Sequence, residues 1–184
     1  MKTIGLLFIL LVGATTFVSC EKDDPEIPNE EELITTVKYT LKPQPDGSGV
    51  VFLFRDLDGD GGNPPVITTA PLKPGTIYSG TLELLNEAEM PVEDITEEIE
   101  DEGDEHQFFF TSTSNISVKY IDTDVNGKPV GLKTTLTTGS TGAGKLKIIL
   151  KHLPNKNASG VANGDITNAG GETDIEVEFN VVIQ

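Results

Sequence analysis

The chain has 184 residues, of which 36% are hydrophobic and 23% are charged, and its formal net charge is −17 at pH 7. This composition is typical of one globular domain. The negative charge excludes a nucleic-acid-binding role, because phosphates require Lys and Arg, and it disfavours adsorption to anionic lipid headgroups. The expected partners are therefore cations or a basic protein surface.

The amino terminus has the features of a secretion signal. Lys2 precedes an apolar run from Ile4 to Val18, and the sequence Phe-Val-Ser-Cys that ends at Cys20 resembles a bacterial lipobox. We predict a signal peptide over residues 1–19, cleavage before Cys20 and acylation of its thiol, which would anchor the protein durably in a membrane. Cys20 is the only cysteine, so the mature domain has no disulfide.

The next segment is predicted to be a tether. Glu21–Glu32, with the sequence EKDDPEIPNEEE, is too acidic and too poor in apolar residues to form a packed structure. Together with Cys20 it makes a tether over residues 20–32. Acidic residues after a lipidated cysteine resemble the surface-export signal of Bacteroidota lipoproteins, whereas a merely solvated linker would face the periplasm. We expect an outer-membrane lipoprotein that is surface-exposed or periplasmic.

Residues 33–184 are predicted to form a single β domain, because apolar and polar residues alternate with a period of two. The clearest inward-facing sets are Leu33, Thr35, Val37, Tyr39 and Leu41 at the start, and Ile175, Val177, Phe179, Val181 and Ile183 at the end. The predicted strands are Leu33–Leu41, Val50–Phe54, Val66–Thr69, Thr76–Asn86, His106–Thr111, Ile116–Asp122, Leu132–Thr138, Lys145–Lys151 and Asp174–Ile183. Eight or nine short strands favour an immunoglobulin-like two-sheet sandwich.

One short acidic helix is predicted over Glu93–Glu102. Pro91 precedes it and Gly103 follows it, as is typical of helix ends. The apolar residues fall at spacings of three and four, on one face: Val92, Ile95 and Ile99.

The carboxyl-terminal turn of this helix carries Glu100, Asp101 and Glu102. These acids repel the negative end of the helix dipole and the acids four residues earlier. We expect positive charge to relieve this repulsion, supplied by a metal ion, a lysine of a neighbouring strand, a partner or dissolved salt. The alternative is a solvated acidic face that needs no ligand.

The loop after the second strand has the spacing of a calcium loop. In Asp56-Leu57-Asp58-Gly59-Asp60-Gly61 alternate carboxylates could converge on a hard cation. The twelfth position holds Ile67 instead of an acid, so we predict a β-hairpin loop in which Asp56, Asp58, Asp60 and Asn63 bind Ca²⁺. The alternative is an Asp- and Gly-rich turn without an ion.

A second metal site is predicted around the two histidines, on condition that the fold brings its residues together. His106 and His152 would form a mixed nitrogen and oxygen site for Zn²⁺ or another transition metal with Glu105, Asp104 or the late acids Glu172 and Asp174. The alternative is that both histidines are ordinary hydrogen-bonded residues at strand ends.

The glycine-rich segment Gly139–Gly144, followed by Lys145, is similar to a phosphate-binding loop. Leu146 stands where such a loop has Ser or Thr, and a strand pattern follows in place of a helix. We therefore expect a flexible hairpin loop there.

Four segments of the chain carry a resemblance to known proteins: Arg55–Gly61 (RDLDGDG), Glu93–Phe110 (EDITEEIEDEGDEHQFFF), Lys151–Lys156 (KHLPNK) and Gly164–Val181 (GDITNAGGETDIEVEFNV). They resemble a family of small Bacteroidota envelope lipoproteins that is labelled as part of the type 1 periplasmic-binding-fold superfamily. The resemblance implies an envelope lipoprotein, and it is compatible with ligand capture beside an outer-membrane transporter. Its label implies a two-lobed α/β fold about twice as long, whereas the strand pattern predicts a sandwich.

No catalytic motif is recognisable, so we predict that the protein is not an enzyme. The expected function is that of a lipid-anchored envelope module whose acidic loops bind a cation or a ligand. Two alternatives remain: a purely structural or adhesive surface lipoprotein, and a metal-dependent hydrolase in which His106, His152 and carboxylates would converge in a concave pocket.

Overall fold

The computed structural model describes residues 33–59 and 62–184. The predicted signal peptide, Cys20, the tether and Asp60 lie outside these ranges. The contacts divide the chain into residues 1–30 and 31–184, and every described residue belongs to the second unit. Among the described residues, no helix has the length and apolar character needed to cross a membrane.

The described part of this unit contains ten strands and one α-helix. The strands are β1 Thr36–Pro43, β2 Val50–Arg55, β3 Val66–Thr68, β4 Ile77–Asn86, β5 Glu93–Asp94, β6 His106–Ser112, β7 Ile116–Tyr120, β8 Lys133–Thr138, β9 Gly142–His152 and β10 Glu172–Ile183, and the helix is α1 Ile95–Asp101. A seven-stranded sheet has the order β3-β2-β1-β4-β8-β7, with β5 beside β4, and a three-stranded sheet has the order β10-β9-β6. All these pairings are antiparallel.

The predicted all-β two-sheet sandwich with one short helix is confirmed. All nine predicted strands are present, and the tenth is the two-residue β5. The inward-facing residues of both sheets form one continuous core. In its centre Phe52 of β2 and Phe179 of β10 pack with ring centroids 5.6 Å apart, while Tyr39 of β1 is fully buried beside them. Period-two alternation produces this core because successive side chains of a strand point to opposite faces.

A second, smaller core covers the outer face of the three-stranded sheet. Phe109 of β6 and Ile149 of β9 point away from the sandwich and pack against Val161 and Ala169 of the β9–β10 connection. This connection contains the short 3-10 turns Val161–Asn163 and Ile166–Asn168. The uninterrupted run Phe108–Phe110 is apolar because β6 is buried on both faces.

Two sequence expectations about side-chain position and connection are wrong. Leu33 is 54% exposed, because β1 begins only at Thr36. Gly139–Thr141 joins β8 of one sheet to β9 of the other, so it is a crossover between sheets and not a hairpin loop.

Helix α1 begins and ends close to the predicted residues. The Asp94 side chain caps it by accepting a hydrogen bond from Thr96 N at 3.0 Å, and Gly103 follows the C-cap residue. Ile95 and Ile99 are buried in the sandwich core, whereas Val92 is 49% exposed. Val92 precedes the first helical residue, so the helical spacing that grouped it with the two isoleucines does not apply to it.

We expect Phe109→Ala to lower the free energy of unfolding by about 3–5 kcal/mol, because it empties the centre of the second core. Urea denaturation measures this change. Val125→Ala is the matched control, since Val125 is 89% exposed and its truncation should change stability by less than about 0.5 kcal/mol. Equal effects of the two substitutions would show that the β9–β10 connection does not form a core.

Candidate functional site

An acidic cleft opens at one end of the sandwich, where β2 ends and β10 begins. Its volume is about 530 Å³. Asp56 and Asp58 line it from the β2–β3 loop, and Asp174 and Glu176 line it from the opposite sheet. Its apolar lining includes Phe54, Leu57 and Ile175. The cleft thus combines four carboxylates with apolar walls.

Asp174 reaches the cleft because β10 has a bulge. The register of β10 with β9 shifts between Thr173 and Ile175, so Asp174 is the extra residue. Simple alternation would place Asp174 on the solvent face with Glu176, but its side chain is only 8% exposed. The turn before β10 requires a glycine, since Gly171 has φ of 66° and a Cβ there would lie 2.2 Å from the carbonyl oxygen of His152.

The β2–β3 loop is held by its own aspartates. Asp56 Oδ1 accepts a hydrogen bond from Gly59 N at 3.0 Å. Asp58 Oδ2 accepts from the backbone N and the side-chain Nδ2 of Asn63, at 3.0 and 2.7 Å. These bonds, with a smaller contribution from the neighbouring Asp56 carboxyl group, lower the pKa of Asp58. The Asp58 carboxyl group is therefore charged near neutral pH, and it lies close to the carboxyl group of Asp56.

The predicted hairpin is confirmed, because β2 pairs with β3 in antiparallel register on either side of this loop. Asn63 turns its amide nitrogen toward Asp58, as a turn-stabilising residue does. Asp60 lies outside the described residues. Calcium binding by Asp56, Asp58, Asp60 and Asn63 stays a prediction.

The two histidines stack directly beside this cleft. His106 and His152 are register partners on β6 and β9, and their rings lie 4.8 Å apart at an angle of 11°. Both side chains are buried. His106 Nδ1 lies 3.2 Å from the carbonyl oxygen of Glu102, the C-cap residue of α1, and donates a hydrogen bond to it. Burial lowers the pKa of His106, although Glu102 and Asp174 oppose this effect.

The fold brings the second predicted metal set together, but not as a set of converging ligands. Asp174 Oδ2 lies 3.9 Å from His106 Nε2, and Glu105 Oε2 lies 3.6 Å from His152 Nε2. Glu172 is the register partner of His152 but is exposed. Within the described ranges, no three His, Cys, Asp or Glu side chains are arranged to hold a metal ion.

The two imidazole rings each face a different carboxylate, Asp174 for His106 and Glu105 for His152. Of this set, only Asp174 also lines the cleft. The Zn²⁺ site of His106, His152, Glu105, Glu172 and Asp174 stays a prediction without geometric support.

Two lysines face the acidic end of α1. Lys133 Nζ, from β8, forms an ion pair with Glu100 Oε1 at 2.9 Å, which raises the pKa of Lys133. Both side chains are more than half exposed, so the pair contributes little to stability. A neighbouring lysine was one of the positive groups expected from the sequence.

The second lysine, Lys156, is buried. Its Nζ donates to the carbonyl oxygens of Gly103 and Pro129 and lies 3.0 Å from Asp124 Oδ2. The Lys156 and Asp124 side chains are 5% and 1% exposed. Burial lowers the pKa of Lys156, and Asp124 opposes this effect. For Asp124, burial alone would raise the pKa, but hydrogen bonds from Lys128 N and from Lys156 bring it below its usual range.

Sequence reasoning missed the roles of Lys156, Asp124 and Glu176. Asp124 could have been suspected, because it begins the Asn126-Gly127 turn and its Oδ1 accepts from Asn126 N and Lys128 N at 2.8 Å. No local signal marks Lys156 as buried.

Comparisons with protein-family models, with curated proteins and with solved structures found no match.

We expect Lys156→Met to lower the free energy of unfolding by about 3–5 kcal/mol, because it leaves the Asp124 carboxylate buried without its partner. Lys133→Ala, which removes an exposed ion pair, should cost less than about 1 kcal/mol. Urea denaturation distinguishes the two. The double variant Lys156→Met/Asp124→Asn should recover part of the loss, and no recovery would contradict this account.

We also expect stability to fall as the pH is lowered through about 6.5, the pKa of an unfolded histidine. The folded protein binds a proton at His106 less readily than the unfolded chain does, so acid favours unfolding, by up to about 1.4 kcal/mol per pH unit. Unfolding free energies measured between pH 7.5 and 5.5 test this. In His106→Gln the slope should be shallower, and an unchanged slope would mean that His106 does not contribute.

Proposed function

We propose that this chain is a non-enzymatic lipoprotein of the cell envelope, anchored through Cys20, that binds a cation at the acidic cleft. Ca²⁺ is the expected ion, and Asp56 and Asp58 are its expected ligands, with Asp60 next to them in the sequence. The observation that carries the proposal is that Asp56 and Asp58 line one cleft with carboxylates of the opposite sheet. These described side chains do not by themselves form a group that could hold a metal ion, so the proposed site also requires Asp60. Adjacent carboxylates repel each other, and a divalent cation relieves that repulsion.

The electrostatics of the opposite wall support this proposal. Glu176 forms an ion pair with Lys147, whereas Asp174 faces the buried His106. Burial disfavours the charged form of the His106 imidazole near pH 7. The cleft therefore holds more negative than positive charge. Hard oxygen ligands of this kind suit Ca²⁺ better than Zn²⁺.

The place where the chain enters the domain also matters for an anchored protein. Leu33 and Ile34 line the cleft, so the first described residues lie at its rim. A tether of residues 20–32 spans at most about 45 Å. Under the proposed anchoring, the cleft would stay within that distance of the membrane surface. It could then exchange its ligand with a membrane protein such as a transporter.

A purely structural or adhesive module is the second candidate. It is favoured by the hydrogen bonds through which Asp56 and Asp58 hold their own loop, since these bonds need no ion. A hydrolase would require the histidines in the cleft, but neither His106 nor His152 lines it. We therefore place the hydrolase behind both other candidates.

Thermal melting with added Ca²⁺, Zn²⁺ or chelator tests the proposal. An ion present at one hundred times its dissociation constant stabilises the folded state by about 2.7 kcal/mol, or roughly 5–10 °C for a domain of this size. We expect this shift with Ca²⁺ and its loss in Asp58→Asn/Asp60→Asn. Each melting measurement needs a sodium chloride control of equal ionic strength, because screening of the negative charges alone stabilises an acidic protein.

The matched control variant is Asp46→Asn/Glu89→Gln, which removes two negative charges from exposed positions outside the cleft. This control variant should keep the full increase in melting temperature on addition of Ca²⁺. If neither ion moves the midpoint beyond the sodium control, or if both double variants respond alike, the cation-binding proposal is wrong and the structural module stands.

A further inference from the structure

The three-stranded sheet has an open edge along β10. β9 pairs with one side of β10 over its whole length. On the other side, Leu72 is the one described residue that bridges to β10, in parallel register at Ile183 near the carboxyl end of the strand. The edge of a sheet that lacks a neighbour can pair with another chain.

The bridge to Leu72 shows which backbone groups point outward. Leu72 N donates to the carbonyl oxygen of Val182, and Gln184 N donates to that of Leu72, so the even-numbered residues turn away from β9. By the period of two, the N–H and C=O groups of Glu176, Glu178 and Asn180 also point outward. Among the described residues, no other strand pairs with them. This open edge, Glu176–Asn180, is about 14 Å long.

The side chains of this edge favour a basic neighbour. Glu176 and Glu178 are exposed on the outer face and pair with Lys147 and Lys145 of β9. In a strand added beside β10, the side chains on the same face of the sheet as Glu176 and Glu178 would lie next to these two glutamates, on the side away from Lys145 and Lys147. Lysine or arginine there would extend the alternation of charge across the sheet, since opposite charges on neighbouring strands stabilise pairing.

The end of the edge nearest the cleft adds to this preference. Asp174 and Glu176 line the cleft together with Asp56 and Asp58 of the β2–β3 loop. The apolar walls of the cleft, Phe54 and Ile175 among them, can pack against the methylenes of a long basic side chain while the carboxylates bind its charged end.

We propose that β10 is a docking site for an extended segment of a basic partner protein, which adds to the three-stranded sheet as a fourth strand along Glu176–Asn180. The partner segment alternates lysine or arginine with apolar residues, because successive side chains of a strand face opposite sides. Backbone hydrogen bonds supply affinity and the acidic side chains select the partner. This inference goes beyond cation binding and does not depend on it.

A second copy of the chain fits this edge less well. Two β10 strands would bring Glu176 and Glu178 of one protomer against the same residues of the other, and like charges directly opposite each other destabilise strand pairing. The net charge of −17 also opposes self-association.

The test uses the complete chain in detergent and a fluorescent peptide of about seven residues in which lysine and valine alternate. Hydrogen exchange read by mass spectrometry reports on the backbone amides of Glu176, Glu178 and Asn180. We expect the peptide to bind and to slow exchange in the segment that carries these amides. Asn180→Pro removes one outward N–H without touching the bonds to β9, and it should weaken binding about tenfold, whereas Asn180→Thr should not.

A peptide N-methylated on alternate residues keeps its charge but cannot pair, so it tests the same point even if Asn180→Pro fails to fold. Loss of binding on N-methylation supports the proposal. Binding that survives N-methylation, or that leaves hydrogen exchange at the edge unchanged, would show nonspecific attraction and overturn it. Absence of binding at about 1 mM peptide would overturn it too, as would a concentration-dependent dimer that protects the same amides.

Discussion

The buried ammonium group of Lys156 holds together the three chain segments that follow helix α1, strand β7 and strand β9. It binds the carbonyl oxygens of Gly103 and Pro129 and the carboxylate of Asp124, so it links three separate segments of the chain. It also places a positive charge beside the carbonyl oxygen of Gly103, directly after Glu102, the C-cap residue of α1. The carbonyl oxygen of Glu102 accepts a hydrogen bond from His106, so the Lys156 contact lies one residue from the group that positions His106.

The same β9–β10 connection that carries Lys156 also covers the outer face of the smaller sheet. Val161 and Ala169 bury Phe109 and Ile149 there, so this part of the outer face is covered, while Glu176 and Glu178 of β10 stay exposed on the same face. A firmly held sheet is what a binding edge or a binding cleft requires, because an ordered site loses less conformational entropy when a ligand binds. The bulge at Asp174 then turns one carboxylate of this sheet toward the cleft.

Local features of the fold were predictable from the sequence, and long-range ones were not. Period-two alternation located the nine longer strands, and Gly103 marked the end of α1. The Gly139–Thr141 turn was misjudged because no local signal says whether the next strand joins the same sheet. Lys156 was missed for a similar reason, since its partners lie 27 to 53 residues away along the chain. The bulge at Asp174 has no glycine or proline to reveal it.

The most direct test of the central claim, that the acidic cleft is a cation site, is anomalous diffraction from crystals grown with Ca²⁺. The account predicts one strong peak about 2.3–2.6 Å from carboxylate oxygens of Asp56 and Asp58. Crystals of Asp58→Asn/Asp60→Asn should lack that peak. A cleft without a peak in crystals that contain Ca²⁺, or a peak only beside Glu100–Glu102 of helix α1, would contradict the claim.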